Sequence, residues 1–207
     1  MGDAVWLKQE TRKRVRDCIV ALESASGAEV VATVSVRSGH YRHADYLIGA
    51  GASFVSLLFY FFYPEQLFDD VAILLVIASF GVGALLSAAA TGLRRLVVSR
   101  KLMDDSVHAA ACARFVDQGI SATRCRTGVL VYVSLFERRV EIVPDIGIPV
   151  DRLGDRWTQG VRSIDAAARQ GVEPFVTALQ ALGPLLAEAV PRAAEDVNEL
   201  PDDMVQA

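Results

Sequence analysis

Two uninterrupted apolar runs constrain this chain more than anything else in it. Tyr46 to Tyr63 is 18 residues without a charge and Val71 to Leu93 is 23. As helices at 1.5 Å per residue they would reach about 27 and 34 Å, which matches a hydrocarbon core of about 30 Å. Between Tyr46 and Leu93 there is no Lys or Arg, and the acids Glu65, Asp69 and Asp70 fall in the short break after Pro64. The aromatic cluster Phe59-Tyr60-Phe61-Phe62-Tyr63 stands where an interfacial belt would lie. The pattern therefore predicts a transmembrane hairpin over 46–93.

Basic residues give the hairpin a direction. Lys8, Arg12, Lys13, Arg14, Arg16, Arg37 and Arg42 precede it, Arg94, Arg95, Arg100 and Lys101 follow it, and the connecting loop has none. By the positive-inside rule both flanks and both termini are expected in the cytoplasm of a multi-pass protein of the cell membrane. Small residues at helical spacing, Gly49 and Ser53 on one run and Gly83 and Ser87 on the other, either let the two backbones approach closely or reflect the frequency of glycine in membrane helices.

The remainder of the 207 residues reads as one α/β domain interrupted by the hairpin, with an N-terminal half over 1–45, a C-terminal half over 94–190 and an acidic disordered tail over 191–207. Val15, Cys18, Ile19 and Leu22 form the stripe of an amphipathic helix that Gly27 ends. Its opposite face, with Lys8, Arg12, Lys13 and Arg16, suits either anionic lipid or plain solvation. Glu29 to Val36, Val129 to Leu135 and Val140 to Val143 read as three strands, the last two a hairpin about Glu137-Arg138. A helix through Val107, Ala110, Ala111 and Phe115, either continuous with the second apolar stretch or separate from it, is expected to stop at Gly119, and two more helices follow, with Gly171 between them. The fold class expected is an α/β/α sandwich around a small mixed sheet, because strands this apolar need cover on both faces. Neither half alone has strands enough for a sheet.

The net charge of −4 argues against a nucleic-acid partner, which needs a basic surface. Cys18, Cys112 and Cys125 lack C-x-x-C spacing and are expected as free, buried thiols. No G-x-S-x-G, H-E-x-x-H, P-loop or strand-borne G-x-G-x-x-G is present, so no catalytic set is evident. Three weaker constellations remain. His40, His43 and Asp45 combine imidazole and carboxylate as metal ligands would, or are polar residues at the start of a membrane helix. Glu141, Asp145 and Asp151 could offer oxygens to Ca²⁺ or Mg²⁺, or form a solvated loop. Arg37, Arg42, Arg124 and Arg126 would suit an anionic partner or phosphate headgroup, although positive-inside flanking explains Arg37 and Arg42 equally well, and His108 reads as a lone surface or interfacial histidine.

Several segments together resemble the TPM domain family: Ser26-Gly27-Ala28-Glu29-Val30-Val31, Thr127-Gly128-Val129-Leu130-Val131-Tyr132-Val133-Ser134, and Glu137-Arg138-Arg139-Val140-Glu141-Ile142-Val143 with Asp145-Ile146-Gly147-Ile148. Ser38 to Asp45, leading into the hairpin, and Asn198-Glu199-Leu200-Pro201-Asp202 look like a bacterial membrane branch of that family. The resemblance implies an α/β/α sandwich and a role as an accessory or scaffold protein for a membrane complex, hence a bilayer and a membrane-protein partner. In some members it implies divalent-metal binding or acid-phosphatase activity, the alternative reading for this chain. Arg126-Thr127-Gly128 stands where many members carry Asp-Asn-Gly, which puts a positive charge in place of a cation ligand.

Overall fold

The structure, a computed structural model, describes residues 3–63, 68–192, 200 and 204–206. It is mostly helical with a small mixed sheet, and it divides into two compact units, 39–103 and the two flanking stretches 1–38 and 104–207 taken together.

In chain order the elements are α1 (Asp3–Trp6), α2 (Gln9–Ala25), β1 (Glu29–Ser35), α3 (Arg42–Phe62), α4 (Asp69–Ala89), α5 (Thr91–Val97) and α6 (Arg100–Asp117). A 3₁₀ turn (Ile120–Ala122) leads to β2 (Gly128–Ser134) and β3 (Arg139–Pro144). The chain then forms α7 (Val150–Leu153), α8 (Asp155–Gln170), α9 (Val172–Gln180), α10 (Gly183–Ala189) and β4 (Val205–Gln206).

The flanking unit is built on pairing across the interruption. β1 runs parallel to β2 from Glu29 opposite Gly128 to Ser35 opposite Ser134, and β3 returns antiparallel to β2, with Val129 opposite Pro144. The sheet order is β3-β2-β1-β4. All seven residues of β1 and all seven of β2 are buried, as strands covered on both faces must be. Their alternation sorts two cores. Val30, Ala32, Val34, Val129, Val131 and Val133 face the helices α2, α8, α9 and α10, where Ile19, Ile164, Leu179 and Leu186 are fully buried. Val31, Leu130 and Tyr132 face the other way, onto Val107 and Ala111 of α6 and onto Ile120. Trp6 of α1 closes the larger core edge-on to Phe175, ring centroids 5.1 Å apart.

Three expectations are corrected here and one alternative is decided. The helix after the second apolar run does not continue from it, since the backbone leaves helical geometry at Ala90 and again at Val98, and the short α5 stands between α4 and α6. The tail from 191 lies largely outside the described residues, but where it is described it is not disordered: Val205 and Gln206 pair with Thr33 and Val34 of β1, and Met204 is buried in the larger core. Of the three cysteines, Cys112 and Cys125 are exposed and Cys18 is buried; the solvent side of α6 carries Cys112, one position beyond the buried Ala111. His108 is not a lone histidine, because its ring meets Glu141.

The central unit holds two helices long and apolar enough to cross a membrane, Arg42–Phe62 and Asp69–Ala89. They run antiparallel: Asp45 meets Ser87, Ser53 donates to the Val76 carbonyl at 3.0 Å, and Tyr60 donates to Asp69 at 2.8 Å. The small residues let the backbones come close. A Cβ on Gly83 would stand 2.8 Å from the Ala52 Cβ and 3.2 Å from the Gly49 Cα, so this crossing has room for glycine and nothing larger without a shift.

Candidate functional site

The residues singled out by sequence fall into separate places. At the hairpin's base, Asp45 accepts from Arg94 Nε at 2.9 Å and Nη2 at 2.8 Å, and from the Ser87 hydroxyl at 2.7 Å. Its carboxylate therefore serves α4 and α5 and is not joined by the imidazoles. His43 stacks edge-on near Tyr41, 6.4 Å between centroids, while His40 and Arg42 are exposed. Arg37 is also exposed, and its carbonyl accepts from the Ser35 hydroxyl.

The loop that enters β2 is organised by an ion pair. Arg126 sits in the left-handed region at φ 57°, unusual for a side chain of its size, and its backbone is held on both sides: its N–H donates to Thr123 and its carbonyl accepts from Gly147, at 3.1 and 2.8 Å. A Cβ on Gly147 would come within 2.5 Å of the Arg126 carbonyl oxygen, so the close approach requires glycine. That posture lays the Arg126 guanidinium bidentate on Asp145, Nε at 2.7 Å and Nη2 at 2.9 Å, while the Ile146 N–H also donates to Asp145. Asp145 is buried, and the Arg126 hydrogen bonds hold its carboxyl below the usual carboxylate range against the opposing effect of burial. Arg126 is thus occupied within the protein, and Arg124 is exposed beside it.

Glu141 and Asp151 do not join Asp145. Glu141 lies on β3 with His108 Nδ1 at 2.9 Å, and Asp151 is exposed on α7. Among the described residues no group of three His, Cys, Asp or Glu side chains is placed to hold a metal ion.

Two arrangements escaped the sequence reading. At the carboxyl ends of the parallel strands β1 and β2, the place where open α/β sheets bind ligands, a buried polar network has formed. The Ser38 N–H donates to Glu137 at 3.0 Å, the Ser38 hydroxyl meets Tyr132 at 3.0 Å and Ser134 at 2.7 Å, and Ser134 donates to Glu137. These groups satisfy one another, fastening the chain as it leaves β1 to the β2–β3 turn. Tyr132 and Ser134, two apart at the end of a strand whose preceding residues from Val129 are valine and leucine, were the available signal.

The second is centred on Arg139. Its guanidinium grips Asp104 of α6 at 2.6 and 2.7 Å and Asp165 of α8 at 3.0 Å, and Asp165 also accepts from the Val140 N–H at 2.9 Å and from Arg169. The Asp104 hydrogen bonds are the chief reason its basicity rises. Because α6 and α8 cover opposite faces of the sheet, one arginine on the edge strand links both layers. The cleft beside it, about 270 Å³, is lined by Asp104, Arg139, Glu141, Arg162 and Asp165.

No protein-family model matches this sequence, and no curated protein does. Among solved structures it is similar to the NMR structure of the BA42 protein from the psychrophilic bacterium Bizionia argentinensis, with a TM-score of 0.59 over 98% of this chain and 96% of that one. At 17% identity this is a likeness of fold.

Proposed function

We propose that this chain is a membrane-anchored accessory or scaffold protein: a TPM-like α/β/α sandwich split by a transmembrane hairpin, with both flanks in the cytoplasm. The observation that carries the anchor is the exposure of its apolar helices. A water-soluble core helix hides its apolar residues, whereas the most apolar stretches of α3 and α4 are only 11% and 17% buried. Phe61, Leu74 and Leu85 remain 70%, 67% and 71% exposed, which hydrocarbon would solvate and water would not. Asp45 and Arg94, which flank the hairpin, pair at one end of it, where they need not enter the hydrocarbon.

The scaffold role rests on how the polar groups are used. Asp145 and Glu137 are each bound by protein donors, so the flanking domain reads as a rigid body offered to a partner. The test is affinity capture from detergent-solubilised native membranes after an alkaline carbonate wash. The tagged full chain stays with the washed membranes and brings down the same membrane proteins that the chain lacking 46–93 fails to bring down. Release by carbonate would sink the anchor, and capture of nothing beyond background would sink the scaffold.

A further inference from the structure

On α6, His108 and Cys112 lie one helical turn apart, the spacing that puts two side chains on one face. The Cys112 Sγ is 3.7 Å from His108 Nε2, and the other ring nitrogen, Nδ1, is 2.9 Å from Glu141 Oε1 on β3. A carboxylate only accepts hydrogen bonds. The tautomer that satisfies Glu141 therefore carries its proton on Nδ1 and turns the Nε2 lone pair toward the thiol. Nucleophile, base and an orienting third group stand in the order that activates a thiol for attack. Cys112 is exposed and His108 is 66% exposed, so a small molecule reaches the sulfur without any opening of the fold.

We propose that Cys112 is a nucleophilic thiol that exchanges with small disulfides, His108 acting as its general base and Glu141 as the positioning residue for the imidazole. The Cys112 proton passes to His108 Nε2 and the thiolate attacks one sulfur of the disulfide. A Cys112–sulfur bond forms as the original S–S bond breaks, and the departing thiolate takes the proton back from Nε2. Cys112 is oxidised to a mixed disulfide, the departing half of the reagent is reduced to a thiol, and no other reactant is consumed.

The chain carries its own references among its described residues, since Cys125 is exposed with no histidine hydrogen-bonded to its sulfur, and Cys18 is buried. The full-length protein in detergent is mixed at neutral pH with dithiodipyridine, whose released thiopyridone is coloured. Cys112 reacts faster than Cys125 by on the order of tenfold or more, a phase that Cys112→Ser abolishes. His108→Ala, or His108→Gln as a second variant, lowers the Cys112 rate to that of Cys125. Free imidazole restores it in the alanine variant and leaves the Cys125 rate unchanged. Glu141→Ala slows Cys112, and Glu141→Gln, which keeps an oxygen acceptor, retains most of the rate. Cys18 stays unreactive throughout, reporting that the fold is intact. Equal rates at Cys112 and Cys125, or a Cys112 rate indifferent to both His108 variants, would overturn the proposal.

Discussion

Asp45 and Arg94, 49 residues apart in sequence, face each other through two parallel hydrogen bonds of 2.9 and 2.8 Å with side chains only 13% and 12% exposed. Bidentate geometry and partial burial distinguish this pair from a surface ion pair worth under about 1 kcal/mol. Removing one member of such a pair leaves the other charge stranded, at a cost of about 3 kcal/mol or more. Asp45→Asn and Arg94→Gln should each destabilise the hairpin unit strongly, and the double variant should lose less than the sum of the two. Detergent-denaturation curves of the three variants measure this coupling, and strictly additive losses would show that the pair does not act as one.

The Arg126–Asp145 pair should make stability depend on pH in a defined direction. Arg126 hydrogen bonds depress the Asp145 carboxyl in the folded chain, so the folded state binds its proton less readily than the unfolded state does. The stabilisation is then complete above the unfolded aspartate value of about 4 and is lost as pH falls through the depressed folded value. Arg126→Gln should lower the melting temperature most at neutral pH, and its gap from the wild type should narrow as the pH is taken below about 4. A gap that stays constant down to strongly acid pH would contradict this.

The parallel pairing of β1 with β2 predicts that neither flank folds alone. A chain ending at Asp45 leaves the ladder groups of β1 unpaired, at about 1–3 kcal/mol for each buried one. Met1 to Asp45 should therefore be unfolded by circular dichroism. Joining the flanks by a short flexible linker in place of 46–93 should give a soluble protein that unfolds cooperatively, because loop closure costs little. A well-folded isolated N-terminal stretch would refute assembly across the interruption.

Orientation is open to direct labelling. In a background with Cys112 and Cys125 replaced by serine, a cysteine at position 65 should react with an impermeant maleimide in intact cells, and one at position 207 should react after lysis alone. The opposite pattern would invert the topology.

The parts of the fold legible in the sequence were those with an extended pattern. The valine runs of β1 and β2 and the stop at Gly119, which has φ 66°, follow from composition and backbone freedom, and α3 and α4 from hydropathy. What stayed hidden was local and patternless or distant. The helix breaks at Ala90 and Val98 involve neither glycine nor proline, and β4 is two residues long, too short for any alternation to register. The contacts of the site residues were beyond reach for a different reason. Asp145 finds Arg126 at a separation of 19, His108 finds Glu141 at 33 and Arg139 finds Asp104 at 35, and such pairs are set by the pairing of β2 with β3 and by the packing of α6 on the sheet, which a single sequence does not state.

The order in which the chain is made also bears on β1. Its first partner residue, Gly128, comes 99 positions after Glu29, so at about 5–20 residues per second a ribosome needs roughly 5–20 s to supply it. During that interval a strand of seven buried residues waits without its ladder, an aggregation hazard in any chain, while the apolar runs of 46–93 emerge. On the membrane reading, insertion is complete before the domain can close. A bilayer that draws the two ends of the hairpin together would then act on the nascent chain as a folding template, shortening the search by which β2 reaches a strand synthesised long before it.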